Sequence, residues 1–371
     1  MDNVQLLREL VSINSVFPNE KNIAEYVEQK LKDMGFLVQR QPISEDRFNI
    51  LAERGTEGNP ILLYAHLDTV PAYGNWESDP LELREDGDRL YGLGAYDIKS
   101  GIAAIIAACN IDSNRKIKVG FGVDEENNSA GGNMLANSDF LSNVEGIVAT
   151  EILDFEGATS NSIMLGRRGR TVIELEVPGK SAHGGHAEEG INAIAEAARL
   201  VPLLEEIELP SNKPLPDPNQ FIRKIAAEST SLSVPDRAII EIDRHMVVPE
   251  TPETVREGVQ NFVDSLYEKG EFEEIDGRRI SVRVKPREVP YLMPYVTSEE
   301  SELVKSISSV FDDPQYVYGN TVADENVFAA TGLPVVSLGA VGGNEHQANE
   351  WVSKSSYLDL ISNLRKYLQQ R

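Results

Sequence analysis

An apolar run that closes on a histidine and an acid constrains this chain more than any other feature. Residues 61–65, Ile-Leu-Leu-Tyr-Ala, read as a buried strand, and the run ends in His66-Leu67-Asp68. Residues two apart on a strand point to the same side, so His66 and Asp68 share one face at the strand end. Further on, Asp97 stands just before an apolar helical run at 102–109. Imidazole and carboxylate are the ligands of a catalytic zinc where thiolates are absent. Taken singly these features are ordinary: a His-x-Asp pair is more often a surface hydrogen bond, and Asp97 is a ready N-cap.

Recurrence changes that weighting. Residues 116–123 read as a strand running into Asp124-Glu125-Glu126, and 146–150 as another running into Glu151. Before them come helical periodicity at 4–12 and 20–33, with Gly35 closing the second helix, and strands at 36–41 and 48–52. Alternating strands and helices imply an α/β protein with a doubly wound, parallel sheet. Sites in such sheets form outside the carboxyl ends of the strands, where each candidate so far falls.

From about residue 166 the pattern changes. Residues 171–177 alternate like a half-exposed strand; 191–204 read as an amphipathic helix and 209–219 as a proline-rich loop. Strands at 229–234 and 238–243, a helix at 252–267 and a strand at 279–285 complete the order β-α-β-β-α-β, a small ferredoxin-like α+β domain. Doubly wound features resume after Pro286, with helices at 298–311 and 324–330, a strand at 333–338, a glycine-rich loop to His346 and a helix at 354–368. The expected organisation is a catalytic domain from 1–165 and 286–371, interrupted by an inserted domain at 166–285.

A length of 371 residues suits two such domains. Sixty acidic against 35 basic residues leave a net charge of −25, which argues against nucleic acid or an anionic membrane as partner. The start, Met1-Asp2-Asn3-Val4, lacks the basic and apolar regions of a signal peptide, and no apolar run has the length of a membrane span. Cys109, the single cysteine, cannot form an intrachain disulfide, so a reducing, cytoplasmic location is expected.

At this point the chain resembles the co-catalytic zinc deacylases and exopeptidases that include acetylornithine deacetylase, succinyl-diaminopimelate desuccinylase, aminoacylase and glutamate carboxypeptidase. The matching pieces are His66-Leu67-Asp68-Thr69-Val70-Pro71, Tyr91 to Gly101, Asp124-Glu125-Glu126, Gly179-Lys180-Ser181-Ala182-His183-Gly184-Gly185, Gly190-Ile191-Asn192-Ala193-Ile194 and His346-Gln347-Ala348-Asn349-Glu350. One piece is a weak signal; six in the right order are specific. The resemblance implies a zinc-exopeptidase-like sheet with an inserted lid that also dimerises. It implies that His66 and Glu151 bind one divalent ion, Glu126 and His346 a second, and that Asp97 bridges them. The ions are expected to be zinc, with cobalt or manganese as alternatives. Five ligands and one shared water then complete two four-coordinate sites, with ions about 3.5–4 Å apart. Asp68 would orient His66, Glu125 would be the general base for the bridging water, and His183 would steady the oxyanion from the partner subunit of a homodimer. A cis peptide after Asp97 is also implied.

Substrate residues transfer less well. Relatives carry Asp-x-Arg where this chain has Asp243-Arg244-His245, so either Arg244 or His245 would meet a substrate carboxylate. The usual Thr-Ser-Asp loop appears as Asn320-Thr321-Val322-Ala323-Asp324, making Asn320 a candidate contact. The expected activity is hydrolysis of the amide of an N-acyl amino acid. A dipeptidase or carboxypeptidase with the same atoms is the first alternative, and a non-catalytic small-molecule-binding protein the second.

Overall fold

The computed structural model describes residues 2–153, 155, 157–229 and 231–370. The chain divides into two compact units, Met1–Arg167 with Tyr295–Arg371, and Arg168–Pro294.

The first unit is built on a sheet that is nine-stranded among the described residues. Its order is Leu37–Ser44, Arg47–Arg54, Arg115–Gly122, Glu57–His66, Ile147–Ala149, Val335–Ser337, Ser162–Arg167 and Tyr295–Val296, with Gln315–Gly319 also paired to Ser162–Arg167. The centre is parallel: Glu57–His66 pairs that way with both neighbours, and Val335–Ser337 with Ile147–Ala149. The edges are not. Leu37–Ser44 and Arg47–Arg54 form an antiparallel hairpin, and the latter joins Arg115–Gly122 antiparallel, so the sheet is mixed where a parallel one was expected. The parallel strands are short continuous apolar runs because both their faces are covered.

The helix Ser100–Cys109 is buried at every residue, which is why its sequence is apolar all round. It is not capped by Asp97; that residue lies inside the preceding distorted turn Ala95–Lys99, with φ −109° and ψ 84°. A Cβ at Gly101 would stand 2.3 Å from the Thr150 carbonyl oxygen, so only glycine lets this helix approach the strand end that precedes Glu151. Gly101→Ala forces that contact apart. It is expected to destabilise the protein by ~1–3 kcal/mol, read as a lowered thermal unfolding midpoint; an unchanged midpoint would mean that the helix relaxes freely.

The second unit carries an antiparallel sheet in the order Asn219–Ala226, Arg237–Met246, Gly169–Pro178, Ser281–Val284, with helices Ala193–Leu204 and Pro252–Glu268. This is the β-α-β-β-α-β arrangement of a ferredoxin-like fold. Ile173, Leu175, Val177, Ile240 and Ile242 face the helices in one core. The strand expected at 229–234 is a correction. Its described residues form a loop in which Ser233 makes an isolated bridge to His183, and Thr230 lies outside the described residues. The strand is Asn219–Ala226 instead. It is an edge strand with a bulge between Ile222 and Lys224, and Phe221 and Ile225 are half exposed. The bulge breaks the alternation that would have revealed it. Among the described residues, no helix is long and apolar enough to cross a membrane.

Candidate metal centre

His66 ends its strand with a buried ring. Its Nε2 lies 3.1 Å from Asp97 Oδ1 and 3.5 Å from Glu151 Oε2. His346 Nε2 lies 3.3 Å from Asp97 Oδ2 and 3.1 Å from Glu126 Oε2. Asp97 therefore presents one oxygen to each of two clusters, and each cluster adds one imidazole and one further carboxylate. His66, Glu126 and Glu151 lie at or just beyond the carboxyl ends of the neighbouring parallel strands Glu57–His66, Arg115–Gly122 and Ile147–Ala149, while His346 comes from the loop between the short strands Gly342–Gly343 and Trp351–Ser353.

The loops that hold these groups are tied to one another. Asp68 is fully buried, and its carboxylate accepts the N–H groups of Glu125 (3.2 Å) and Glu126 (3.0 Å). The same carboxylate stands 3.6 Å from His66 Nδ1, which meets the Asp68 carbonyl at 3.0 Å. With Nδ1 so engaged, Nε2 is the nitrogen turned to Asp97. Glu350 was legible only as part of a matching motif, without a role. Its buried carboxylate accepts the N–H groups of Gly94 (2.7 Å), Tyr96 (2.9 Å) and Asp97 (2.9 Å), clamping the Asp97 turn from more than 250 residues away. No sequence spacing reveals a partnership of that kind. The Asp97–Ile98 peptide is cis, as expected.

Electrostatics show what this arrangement requires. Burial alone would lower the His66 pKa, yet Glu151, Asp68 and Asp97 raise it well above the ordinary range. Hydrogen bonds to Asp97 and Glu126 raise His346 to about 11. Burial raises Glu151 to about 8, with Asp97 and Glu325 adding to it, and burial likewise raises Glu126. Five side chains made only of imidazole and carboxylate, crowded together with His66, Asp97 and Glu151 buried, are a donor set for hard and borderline cations, and they fit a pair of divalent ions. A raised pKa means that these groups hold protons up to a higher pH, and a cation must displace them. Zinc titrated into the metal-free protein in buffers of different ionisation enthalpy should therefore release protons, and affinity should fall as pH falls. Binding without proton release would show that the groups are already ionised.

Glu125 is half-buried beside the clusters. Burial raises its pKa well above the carboxylate range, helped by Glu126, Glu151 and Asp324 and opposed by His66. Asp324 is fully buried and accepts from the Tyr64 hydroxyl. Asn320 is half-buried on the loop after Gln315–Gly319. His183 is exposed, and its Nδ1 accepts the Gly185 N–H at 3.0 Å. Arg244 and His245 are neighbours on the strand Arg237–Met246 and so point to opposite faces. Arg244 is buried on the helix side and bonds Glu250 at 2.5 Å. Burial, then Arg168, lowers His245 to about 4, and its Nδ1 is buried without a partner.

Paired imidazole–carboxylate clusters beside the strand ends of a mixed α/β sheet define a candidate two-metal centre. The chain belongs to the peptidase family M20/M25/M40, whose model matches residues 62–370. It is 25% identical over 370 residues to a succinyl-diaminopimelate desuccinylase of a Nitratiruptor species, covering 95% of each chain. Among solved structures it is similar to a tripeptidase from Staphylococcus aureus, with a TM-score of 0.78, 21% identity, and 99% and 97% of the two chains covered. A dinuclear metal-binding M20 peptidase from Bacillus subtilis matches with a TM-score of 0.71 and 15% identity, covering 99% and 97%.

Proposed function

We propose that the protein is a di-metal amidohydrolase that removes the acyl group from an N-acyl amino acid. The observation that carries this reading is the division of Asp97 between two histidine–carboxylate clusters with Glu125 alongside. His66 and Glu151 would hold one ion and His346 and Glu126 the other, with Asp97 offering an oxygen to each. When bound, the ions supply Lewis acidity at the scissile carbonyl and an acidified water. Glu125 takes the proton of the attacking water and delivers it to the leaving amine. Asp68 keeps both the His66 ring and the Glu125–Glu126 turn in place. The desuccinylase relatives favour deacylation. The tripeptidase, and the human carnosine dipeptidase with a TM-score of 0.66 and 21% identity, support exopeptidase activity as the second reading.

Of the two residues at the altered Asp-x-Arg position, His245 is the proposed substrate contact, because Arg244 is already held by Glu250. With its pKa lowered, His245 would offer a neutral hydrogen bond where relatives offer a charge. Asn320 is the second proposed contact. The protein is further proposed to be a cytoplasmic homodimer joined through the unit Arg168–Pro294. The exposed Phe221 and Ile225 on an edge strand support that, since an unpaired apolar edge favours isologous pairing.

A screen of N-succinyl and N-acetyl amino acids, dipeptides and tripeptides with zinc, cobalt or manganese tests the activity. Release of free amino acid from the N-acyl substrates is expected. Cleavage of peptides alone establishes the second reading. No hydrolysis by protein that carries two ions per chain would leave the non-catalytic binding reading.

A further inference from the structure

We propose that Arg167 is a positioning residue for one half of the metal centre, the half formed by His66 and Glu151. This rests on the two-ion reading above. Arg167 is the last residue of the strand Ser162–Arg167 and has no exposed surface. Its Nη2 donates to the Ile152 carbonyl at 2.9 Å, its Nη1 to Thr321 Oγ1 at 3.0 Å, and its Nε to Glu325 Oε1 at 3.2 Å. Ile152 immediately follows Glu151, and its own N–H donates to Glu151 Oε1 at 2.8 Å. The other oxygen, Oε2, is the one that faces His66. A chain of contacts therefore runs from the guanidinium through residue 152 to the carboxylate oxygen turned toward the metal position.

The guanidinium is not explained by stability. A buried ion pair is often matched or bettered by well-packed apolar residues, because desolvation cancels most of the attraction. Arg167 has instead the fork geometry to grip three separate segments at once: the turn after Glu151, the Asn320–Thr321 loop and the helix Asp324–Ala329. The second half of the centre is held differently, since Glu126 is placed by Asp68 through its backbone N–H. Loss of Arg167 should therefore act on one ion and spare the other. Groups that orient a metal ligand typically contribute ~10–100-fold in metal affinity.

Arg167→Lys keeps the charge, but a single ammonium cannot reach all three acceptors. Arg167→Met with Glu325→Gln removes the buried pair together and guards against a variant that fails only through an unpaired carboxylate. Zinc affinities are measured by chelator competition, with thermal midpoints recorded alongside. Two further backgrounds assign the effect: Glu126→Ala leaves the His66–Glu151 half, and Glu151→Ala leaves the His346–Glu126 half. The expected result is a ~10–100-fold loss from Arg167→Lys in the Glu126→Ala background and no change in the Glu151→Ala background. Folded variants with unchanged affinities in both backgrounds, or equal losses in both, would overturn the assignment. Failure of the underlying reading looks different, because the protein with Arg167 intact would then bind fewer than two ions.

Discussion

Glu125→Gln should bind both ions and lose turnover by ~10²–10⁴-fold, the usual worth of a positioned general base. Among the described residues, the carboxylates within ion-pair distance of the Nε2 atoms of the two histidines are those of Asp97, Glu126 and Glu151, and Glu125 is not among them. What the structure gives Glu125 is a fixed backbone, through Asp68, and a raised pKa from burial and neighbouring carboxylates. Such a carboxyl is a stronger base than an exposed one, as an acceptor of a proton from water must be. The amide of Gln keeps the size and loses the proton affinity. Metal analysis and kcat on the same preparation check the expectation. Stoichiometric loss of metal, or a kcat near that of the unaltered protein, would remove Glu125 from the base role.

His183→Ala should cost ~10²–10³ in kcat with metal content and fold unchanged, if His183 donates to the oxyanion. Its Nδ1 accepts the Gly185 N–H, so the ring proton resides on Nε2, the nitrogen left free to donate outward. The ring is exposed and belongs to the inserted unit, while all five proposed ligands belong to the other. A dimer that exchanges these units would place the donor in the partner's site. Mixing His183→Ala with Glu125→Gln under subunit exchange tests that arrangement. Hybrid dimers would contain one site with an intact base and an intact donor, so activity should partly return. No recovery after verified exchange, or a monomeric active enzyme, would confine His183 to its own chain or to no role.

The sequence by itself determined the strand ends on which the centre is assembled. Short apolar runs mark strands buried on both faces, and a polar residue stops each run where the sheet meets solvent; His66, Glu126 and Glu151 were legible for that reason. The β-α-β-β-α-β order was legible too, because helices and strands bury different periods. Only the tertiary structure decided which ends are neighbours. Tertiary packing brings Asp97 between His66 and His346, and through the antiparallel pairing of Trp351–Ser353 with Arg89–Tyr91 it brings the Glu350 carboxylate onto the Asp97 turn. It likewise joins Arg167 to the residue after Glu151. Periodicity records whether a residue is buried, not by what. The bulged edge strand Asn219–Ala226 was missed on the same physical ground: half-exposed, with its alternation broken, it carries little of the burial pattern from which strands are read. Strand alternation, in turn, separates Arg244 from His245, setting one against Glu250 and leaving the other's Nδ1 unpartnered.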